Sequence, residues 1–279
     1  MMMVGLLLAL LALGVGASHS SEPRTPRSST VLVERVRSHH VASAASPRHV
    51  VPYQRQRQTP VTNFLLCANG AAFVALFRRD AVFRALAKND LMIRRSTVQS
   101  YRLVTSCFLH ANVAHLLVNC NSLNALGRCV EPWFGSRRTA TVYGAAGLAG
   151  NLLSLRLATA PLSVGASGCI FGLLGAWAVF LQTNREFFVA RGFDVGGSLR
   201  SMLESCAFPA AIGLAPGSMI DNAGHLGGLL GGAAAAFVVG PRLRRTAYGF
   251  VVDEPRVLLP GSGKRARASS TKVPSGLLR

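Results

Sequence analysis

Charged residues are scarce in this sequence, and acidic residues are the scarcest of them. Charged side chains make up 15% of the 279 residues, with 11 Asp and Glu against 30 Lys and Arg, while 50% of the chain is hydrophobic. With a mean hydropathy of +0.35, the chain is too apolar for an ordinary soluble domain of this size. The net charge of +19 does not indicate nucleic-acid binding, because the basic residues lie in the first 60 residues, between apolar runs and in the tail. The composition predicts a multi-spanning membrane protein with no nucleic-acid partner.

Two patterns of metal-binding residues are also missing. None of the six cysteines belongs to a CxxC pair, and the segment "HANVAH" lacks the Glu and the i, i+4 histidines of HExxH. A zinc protease and a disulfide framework are therefore both unsupported. We expect the cysteines to be small packing residues, and we predict no metal and no cofactor.

The amino-terminal region is typical of targeting segments. Residues 1–17 form an apolar run shorter than the ~20 residues of a spanning helix, and small residues follow it, so residues 1–20 are signal-peptide-like. A short signal anchor is the alternative, because a positive n-region is missing. Residues 21–60 contain seven Arg against two acids, with Ser and Pro, which is typical of an organellar transit peptide or of a disordered basic arm. The two segments together predict import through the secretory route into a plastid with additional bounding membranes.

After residue 60, apolar runs recur at intervals suited to helices. They cover residues 61–77, 113–130, 139–158, 163–182, 199–219 and 222–239. The simplest interpretation is an all-α membrane protein with a six-transmembrane-helix domain at residues 61–240 and a basic tail at residues 241–279. The fifth run is the weakest, because Glu204, Pro209 and Pro216 interrupt it.

Basic residues predict the orientation of these helices. With six spans, the amino end, the link after the second helix, the link after the fourth helix and the tail share one side, and all of them contain Arg. Positive charge marks that side as the cytosol or its organellar equivalent, the stroma. Residues 78–112 are also basic but lie on the opposite side, and their mixed character predicts an amphipathic interfacial loop.

Polar side chains at membrane depth are costly and are therefore functional candidates. The second run places His115 and Asn119 on one helical face, with His110 before them, while the fourth run contains Ser167 and the sixth His225. Glycines follow one face of the fourth and sixth runs. They are Gly165, Gly168, Gly172 and Gly175 in the fourth run, and Gly224, Gly228 and Gly232 in the sixth. Because small-residue stripes let two helices approach closely in lipid, we expect Ser167 and His225 to come within hydrogen-bond reach.

Such a pair has the chemistry of nucleophilic catalysis. A serine hydroxyl becomes a good nucleophile when an adjacent imidazole accepts its proton, as His225 would do for Ser167. The negative oxygen that develops on the attacked carbonyl needs donors, for which His115, Asn119 and the backbone N–H of Ser167 are candidates. Asp221 lies one turn before His225, and we interpret it as a helix N-cap rather than a third catalytic member.

Four motifs together resemble those of the rhomboid family of intramembrane serine proteases, over roughly residues 60–240. They are "HANVAHLLVN", "VEPWFGSRR", "GASGCIFG" and "DNAGHLGGLLGG". The resemblance implies a six-helix bundle whose short fourth helix begins at Ser167 in a water-filled cavity. It further implies Ser167 as nucleophile, His225 as base and acid, His115 and Asn119 as oxyanion donors, and His110 as a structural or water-handling residue.

Two departures from the family pattern leave the reacting groups intact. Tyr101-Arg102 takes the place of a Trp-Arg pair, and Phe171 takes the place of a Tyr four residues after the nucleophile. Gly165, Gly168 and Phe171 are expected to support the site, Phe171 through contact of its ring with His225.

The resemblance implies a serine endopeptidase that hydrolyses peptide bonds in or near the transmembrane helices of protein substrates in the lipid bilayer. A non-catalytic rhomboid-like protein that binds transmembrane helices is the alternative. A transporter with a histidine proton relay is a third class, against which the sequence shows no inverted repeat of interrupted helices. The motifs most resemble the plastid rhomboid-like proteins of plants and algae, in agreement with the amino-terminal segments. A mitochondrial inner-membrane rhomboid is the second choice.

Overall fold

The structure is a computed structural model that describes residues 58–77, 91–94, 99–157, 162–215, 218, 220–245 and 251–257. The signal-peptide-like segment, the transit-like segment up to residue 57 and the tail beyond residue 257 lie outside the described residues. Most of the first half of the predicted interfacial loop does so as well. The predictions for these segments therefore stay predictions.

Helices make up most of the described chain. They are α1 (Pro60–Phe77), α2 (Arg102–Thr105) with a 3₁₀ turn directly after it (Ser106–Phe108), α3 (Val113–Leu157), α4 (Ser167–Thr183), α5 (Arg185–Val189), α6 (Val195–Gly213) and α7 (Asn222–Val239). Two small antiparallel pairs accompany them: β1 (Ile93–Arg94) with β2 (Leu162–Ser163), and β3 (Leu243–Arg245) with β4 (Val251–Asp253). The mostly helical architecture expected from the sequence is confirmed.

Helix α3 contains both the second and the third predicted helices. Its two limbs, residues 113–134 and 136–157, meet at Gly135, whose φ of 74° and ψ of 159° are not helical. A left-handed φ is readily adopted by glycine and strained for other residues, so Gly135 is suited to this break. The first limb ends four residues after the predicted run at 113–130, and the second begins three residues before the predicted run at 139–158.

Two further helices are shifted from their predicted runs. The run at 163–182 becomes a helix only at Ser167, because residues 162–163 pair with β1 and Gly165 has a φ of 127°. The run at 199–219 becomes α6, which begins earlier because Asp194 caps it by accepting a hydrogen bond from Gly197 N at 2.9 Å. Helix α6 ends at Gly213, before Pro216.

The count of six membrane spans stays a prediction. Within the described residues, α7 is the single helix that is long and apolar enough by itself to cross a bilayer. Helix α2 with its 3₁₀ turn, bent by 95° against α3, forms a second candidate, and residues 60–76 and α4 are shorter apolar helices.

The centre of the bundle is formed by α3, α4 and α7, which approach at glycine. A Cβ on Gly228 of α7 would lie 2.9 Å from Gly168 Cα of α4, and a Cβ on Gly227 would lie 2.9 Å from Gly150 Cα of α3. Backbones this close leave no room for a side chain. The glycine stripes predicted on the fourth and sixth runs therefore do meet, and α3 adds a third small-residue surface through Gly150.

A buried carboxylate joins α3 to the beginning of α1. Glu131 is fully buried and accepts hydrogen bonds from Val61 N at 2.9 Å and Thr62 N at 2.8 Å. The hydroxyls of Thr62 and Ser136 also donate to it, at 2.7 and 2.9 Å. The first N–H groups of a helix have no partner within the helix, and a carboxylate there also complements the helix dipole. Glu131 therefore satisfies the first turn of α1 from a distant position in the chain.

The predicted basic side of the domain is one physical end of the bundle. Arg138, just after the α3 break, pairs with Asp253 of β4 at 2.5 Å. Asn184, at the end of α4, accepts a hydrogen bond from Leu243 N of β3 at 2.7 Å. The two interhelical links therefore meet β3 and β4, and the beginning of α1 joins them through Glu131.

Candidate functional site

The helices α4 and α7 begin next to each other, and their first turns carry Ser167 and His225. The Oγ atom of Ser167 lies 2.9 Å from Nε2 of His225, although 58 residues separate them in sequence. The close backbone approach of Gly168 to Gly224 and Gly228 sets this distance. A hydroxyl and an imidazole at hydrogen-bond distance form the arrangement that activates a serine nucleophile.

Phe171 covers the histidine ring. It lies one helical turn after Ser167, and its ring stacks on that of His225 with centroids 4.4 Å apart and an interplanar angle of 15°. The expected ring contact is therefore present, with no hydroxyl on the aromatic ring. Stacking limits rotation of the imidazole and keeps Nε2 directed at Ser167.

Asp221 is the N-cap of α7, as predicted from its position. Its Oδ1 accepts a hydrogen bond from Gly224 N at 2.7 Å, and its Oδ2 accepts one from the Ser154 hydroxyl of α3. Both oxygens of the carboxylate are engaged in holding the beginning of α7. Asp221 thus fixes the turn that carries His225.

His115 faces the same site from the first turn of α3. A Cβ placed on Gly165 would lie 3.0 Å from His115 Nε2 and 3.8 Å from Ser167 Oγ, so the imidazole and the hydroxyl flank the Gly165 backbone. Ala111 N donates to His115 Nδ1 at 3.4 Å, which favours the neutral tautomer with its proton on Nε2. Gly165 has a φ of 127° and no side chain, and both features let the imidazole approach.

Asn119 follows His115 by one turn and is buried. Its Nδ2 donates to the backbone carbonyl of His115 at 2.9 Å, so the described hydrogen bond of this amide is within its own helix. The structure therefore brings Ser167, His225 and His115 together directly, with Asn119 one helical turn away on the same face of α3.

His110 packs edge-to-face against His115, with ring centroids 5.2 Å apart. It is buried, and among the described residues neither of its ring nitrogens has a hydrogen-bond partner. Burial, and secondarily the charge of a protonated His115, lower the pKa of His110 to about 4. Its lowered pKa keeps His110 a neutral imidazole beside His115, although the nearby backbone of Phe108 acts in the opposite direction on the pKa.

Sequence reasoning did not find the residue that joins the loop before α3 to the bundle. Asn151 of α3 donates from Nδ2 to Leu103 O at 2.6 Å and to Ser106 Oγ at 3.0 Å. Gly165 N in turn donates to Ser106 O at 3.0 Å. A polar amide inside the apolar run 139–158 was the available signal.

Arg102 is also buried in this loop, where its Nε donates to Gln99 Oε1 at 2.8 Å.

Comparison with known proteins shows the family to which the chain is similar. A family model described as "Rhomboid domain" matches residues 97–242. The chain is 39% identical to Rhomboid protease GluP of Bacillus subtilis over 55% of this chain and 28% of that protein. It is 39% identical to RHOMBOID-like protein 1 of Arabidopsis thaliana over 54% of this chain and 36% of that protein. It is 36% identical to RHOMBOID-like protein 6, mitochondrial, of Arabidopsis thaliana over 62% of this chain and 59% of that protein. The chain thus spans between about a quarter and three fifths of the length of these relatives.

Proposed function

We propose that this chain, which belongs to the rhomboid family of membrane proteins, is a serine endopeptidase that hydrolyses peptide bonds in or near the transmembrane helices of protein substrates. The observation that carries the proposal is the 2.9 Å contact between Ser167 Oγ and His225 Nε2. The support for nucleophile and base roles is that a hydroxyl and an imidazole lie at hydrogen-bond distance, each on the first turn of a helix.

The proposed reaction begins with proton transfer from Ser167 to His225. The Oγ atom attacks the substrate carbonyl, and the C=O electrons move to its oxygen to form a tetrahedral intermediate. The intermediate collapses as His225 gives its proton to the leaving amine, which leaves an ester on Ser167. Water then attacks the ester with His225 again as base, releases the new carboxyl end and restores the serine.

The oxygen of the tetrahedral intermediate needs donors that are in place before the reaction. We assign this role to the Nε2–H of His115 and the backbone N–H of Ser167, with Asn119 as a further donor from the next turn of α3. Gly165 makes room for His115, Gly168 sets the approach of α4 to α7, and Phe171 orients His225. His110 supports His115 and handles water.

The proposed location is a plastid membrane, in which the protein is multi-pass. The support is the signal-peptide-like segment followed by an Arg-rich, acid-poor segment. A mitochondrial inner membrane is the alternative, and one relative has "mitochondrial" in its name. A fluorescent protein fused after residues 1–60 distinguishes the two destinations.

The experiment that tests the function is cleavage of a model transmembrane substrate by the purified protein in liposomes. We expect Ser167→Ala and His225→Ala each to lower the rate about 10³-fold or more, since members of such a dyad act as a unit. Ser205→Ala is the matched control, because the Ser205 hydroxyl donates only within α6, to Ser201 O at 2.8 Å. A serine-reactive fluorophosphonate should label the wild type and not Ser167→Ala.

Each contrary outcome has a definite meaning. Cleavage that survives in Ser167→Ala overturns the mechanism. A folded wild-type protein that neither cleaves a range of substrates nor reacts with the fluorophosphonate is a non-catalytic family member that binds transmembrane helices.

A further inference from the structure

An open pocket lies at the end of the bundle opposite the dyad. Its volume is about 380 Å³. It is bounded by the end of α4, the end of α7, the beginning of β3 and Arg256, which follows β4. Its lining includes Thr183, Asn184, Phe237, Arg242, Arg244 and Arg256. Because α4 runs from Ser167 to Thr183, the helical rise puts this pocket about 24 Å from the dyad.

We call this cavity the hairpin pocket. Its charge is strongly positive. Three of its lining residues are arginines and none is acidic. Arg244 is partly neutralised by Glu254, at 3.4 Å. Among the residues that the structure describes, neither Arg242 nor Arg256 has an ion-pair partner.

The nearby acid is engaged elsewhere. The carboxylate of Asp253 accepts a hydrogen bond from the backbone N of Arg242 at 3.1 Å and one from Arg138 at 2.5 Å. It fixes the backbone that carries Arg242 without neutralising the Arg242 side chain. The pKa of Arg242 is lowered, first by partial burial and then by the charges of Arg256 and Arg244. The three guanidinium groups are therefore close enough to repel one another.

The wall of the hairpin pocket is fixed in place by Asn184. This buried amide donates to Phe180 O at 2.8 Å and to Pro241 O at 3.1 Å, and it accepts from Leu243 N at 2.7 Å. All of its strong hydrogen-bonding groups are therefore used to hold β3 against the end of α4. The backbone on both sides of Arg242 is therefore fixed before a ligand binds, which lowers the conformational freedom lost on binding.

The position of Phe237 relates the pocket to the bilayer. Phe237 belongs to the last turn of α7, the helix that is long and apolar enough to span a membrane, and its side chain is 48% exposed. The guanidinium of Arg256 lies 3.6 Å from the centre of its ring. An exposed aromatic ring at the end of such a helix lies at the level of lipid headgroups, with apolar surface on one side and the arginines on the other.

We propose that the hairpin pocket binds the phosphate group of an anionic membrane lipid. Guanidinium groups bind phosphate oxygens through paired, charge-assisted hydrogen bonds, and Arg242 and Arg256 are available for such bonds. Thr183, which is exposed, also lines the pocket. Phe237 lies beside the path of the acyl chains. Basic pockets between helices on the positive side of a membrane protein are suited to this class of ligand.

The test measures binding to the full chain purified in nanodiscs of phosphatidylcholine. The probes are dihexanoyl phosphatidylglycerol, dihexanoyl phosphatidylcholine and inorganic phosphate, and binding is read by isothermal titration. We expect the anionic lipid to bind at least tenfold more tightly than either of the other probes. Arg242→Gln and Arg256→Gln should each weaken its binding about tenfold, because each removes one charge-assisted contact.

Arg245→Gln is the matched control. Arg245 belongs to the same strand, carries the same charge and does not line the hairpin pocket, so its loss should change affinity less than about threefold. Equal losses for Arg245→Gln and Arg242→Gln would show attraction to bulk charge and overturn the proposal. Inorganic phosphate that binds as tightly as the lipid would also overturn it, in favour of a free-anion site. The comparison of probes on the wild type stands even if a variant fails to fold.

Discussion

Replacing Glu131 tests how much of the stability of the domain depends on one distant helix cap. Its two carboxylate oxygens accept four hydrogen bonds, from Val61 N and Ser136 Oγ at one oxygen and from the backbone N and the hydroxyl of Thr62 at the other. Glutamine has nearly the same shape but only one accepting oxygen. The Gln and Ala variants therefore differ in how many buried donors they leave unpaired.

The hydrogen bonds of Glu131 determine how many buried donors Glu131→Gln leaves without an acceptor. The amide oxygen keeps either pair of donors, and the hydroxyl of the other pair rotates to accept from the new NH₂ group. One backbone N–H is left facing that NH₂ group, which costs about 1–3 kcal/mol. Loss of the charge at the beginning of α1 adds about 1 kcal/mol. The sum is a loss of about 2–4 kcal/mol in the free energy of unfolding.

Glu131→Ala leaves both backbone N–H groups without an acceptor and adds a cavity. Two unpaired N–H groups cost about 2–6 kcal/mol before the cavity is included. The alanine variant is therefore expected to be less stable than the glutamine variant.

The assay is thermal unfolding in detergent micelles, followed with a thiol-reactive dye. Cys107 and Cys169 are buried free thiols, so they react when the bundle opens. For a chain of this size, Glu131→Gln should lower Tm by roughly 4–16 °C. Glu204→Gln is the control, since Glu204 is exposed on α6 and its replacement should change stability by less than about 0.5 kcal/mol. A Tm for Glu131→Gln equal to that of the wild type would refute the assignment of Glu131 as the cap of α1.

Two further predictions concern the helix crossing and the histidine ring. A Cβ on Gly228 would meet the Gly168 backbone, so Gly228→Ala should destabilise the domain by about 1–3 kcal/mol, whereas Gly144→Ala, in open space, should stabilise it by up to about 1 kcal/mol. The thermal-unfolding assay measures the Tm of both variants. Tm shifts of the same sign in Gly228→Ala and Gly144→Ala would contradict the packing argument. Phe171→Ala should lower kcat/KM about 2- to 10-fold by removing the stack on His225, while Phe171→Tyr retains activity. Unchanged kcat/KM in Phe171→Ala would show that the stack does not orient the base.

The local part of the fold could be predicted because periodicity and glycine spacing are local signals. The run 222–239 coincides with α7, and the glycines at three- and four-residue steps lie where α4 and α7 cross. The proximity of Ser167 to His225 followed from those steps, since two smooth helix faces in lipid can approach only along the glycines. The N-cap role of Asp221 followed from its place before the helix and is confirmed.

The parts that could not be predicted depend on contacts between distant residues. Nothing in the spacing of Glu131 indicates that it caps α1, because its partners lie about 70 residues earlier. The same holds for Asn184. Its side-chain amide forms hydrogen bonds with the backbone of Pro241 and Leu243, which lie 57 and 59 positions later. Such side chains look like isolated polar residues in or beside an apolar run, and the sequence contains several of them. The later beginning of α4 depends likewise on pairing with β1, a segment about 70 residues away.

Contacts between distant residues also fix the relative position of Ser167 and His225. His225 lies on a turn held by Asp221, whose carboxylate accepts hydrogen bonds from Gly224 N and from the Ser154 hydroxyl of α3. Ser167 lies on a turn whose backbone contacts that of α7 directly at Gly168. With both backbones fixed and Phe171 against the imidazole, the remaining freedom of the pair is rotation about a few side-chain bonds. In the proposed mechanism, Asp221 contributes to the position of His225 as the N-cap of α7, because its carboxylate holds the turn that carries the imidazole.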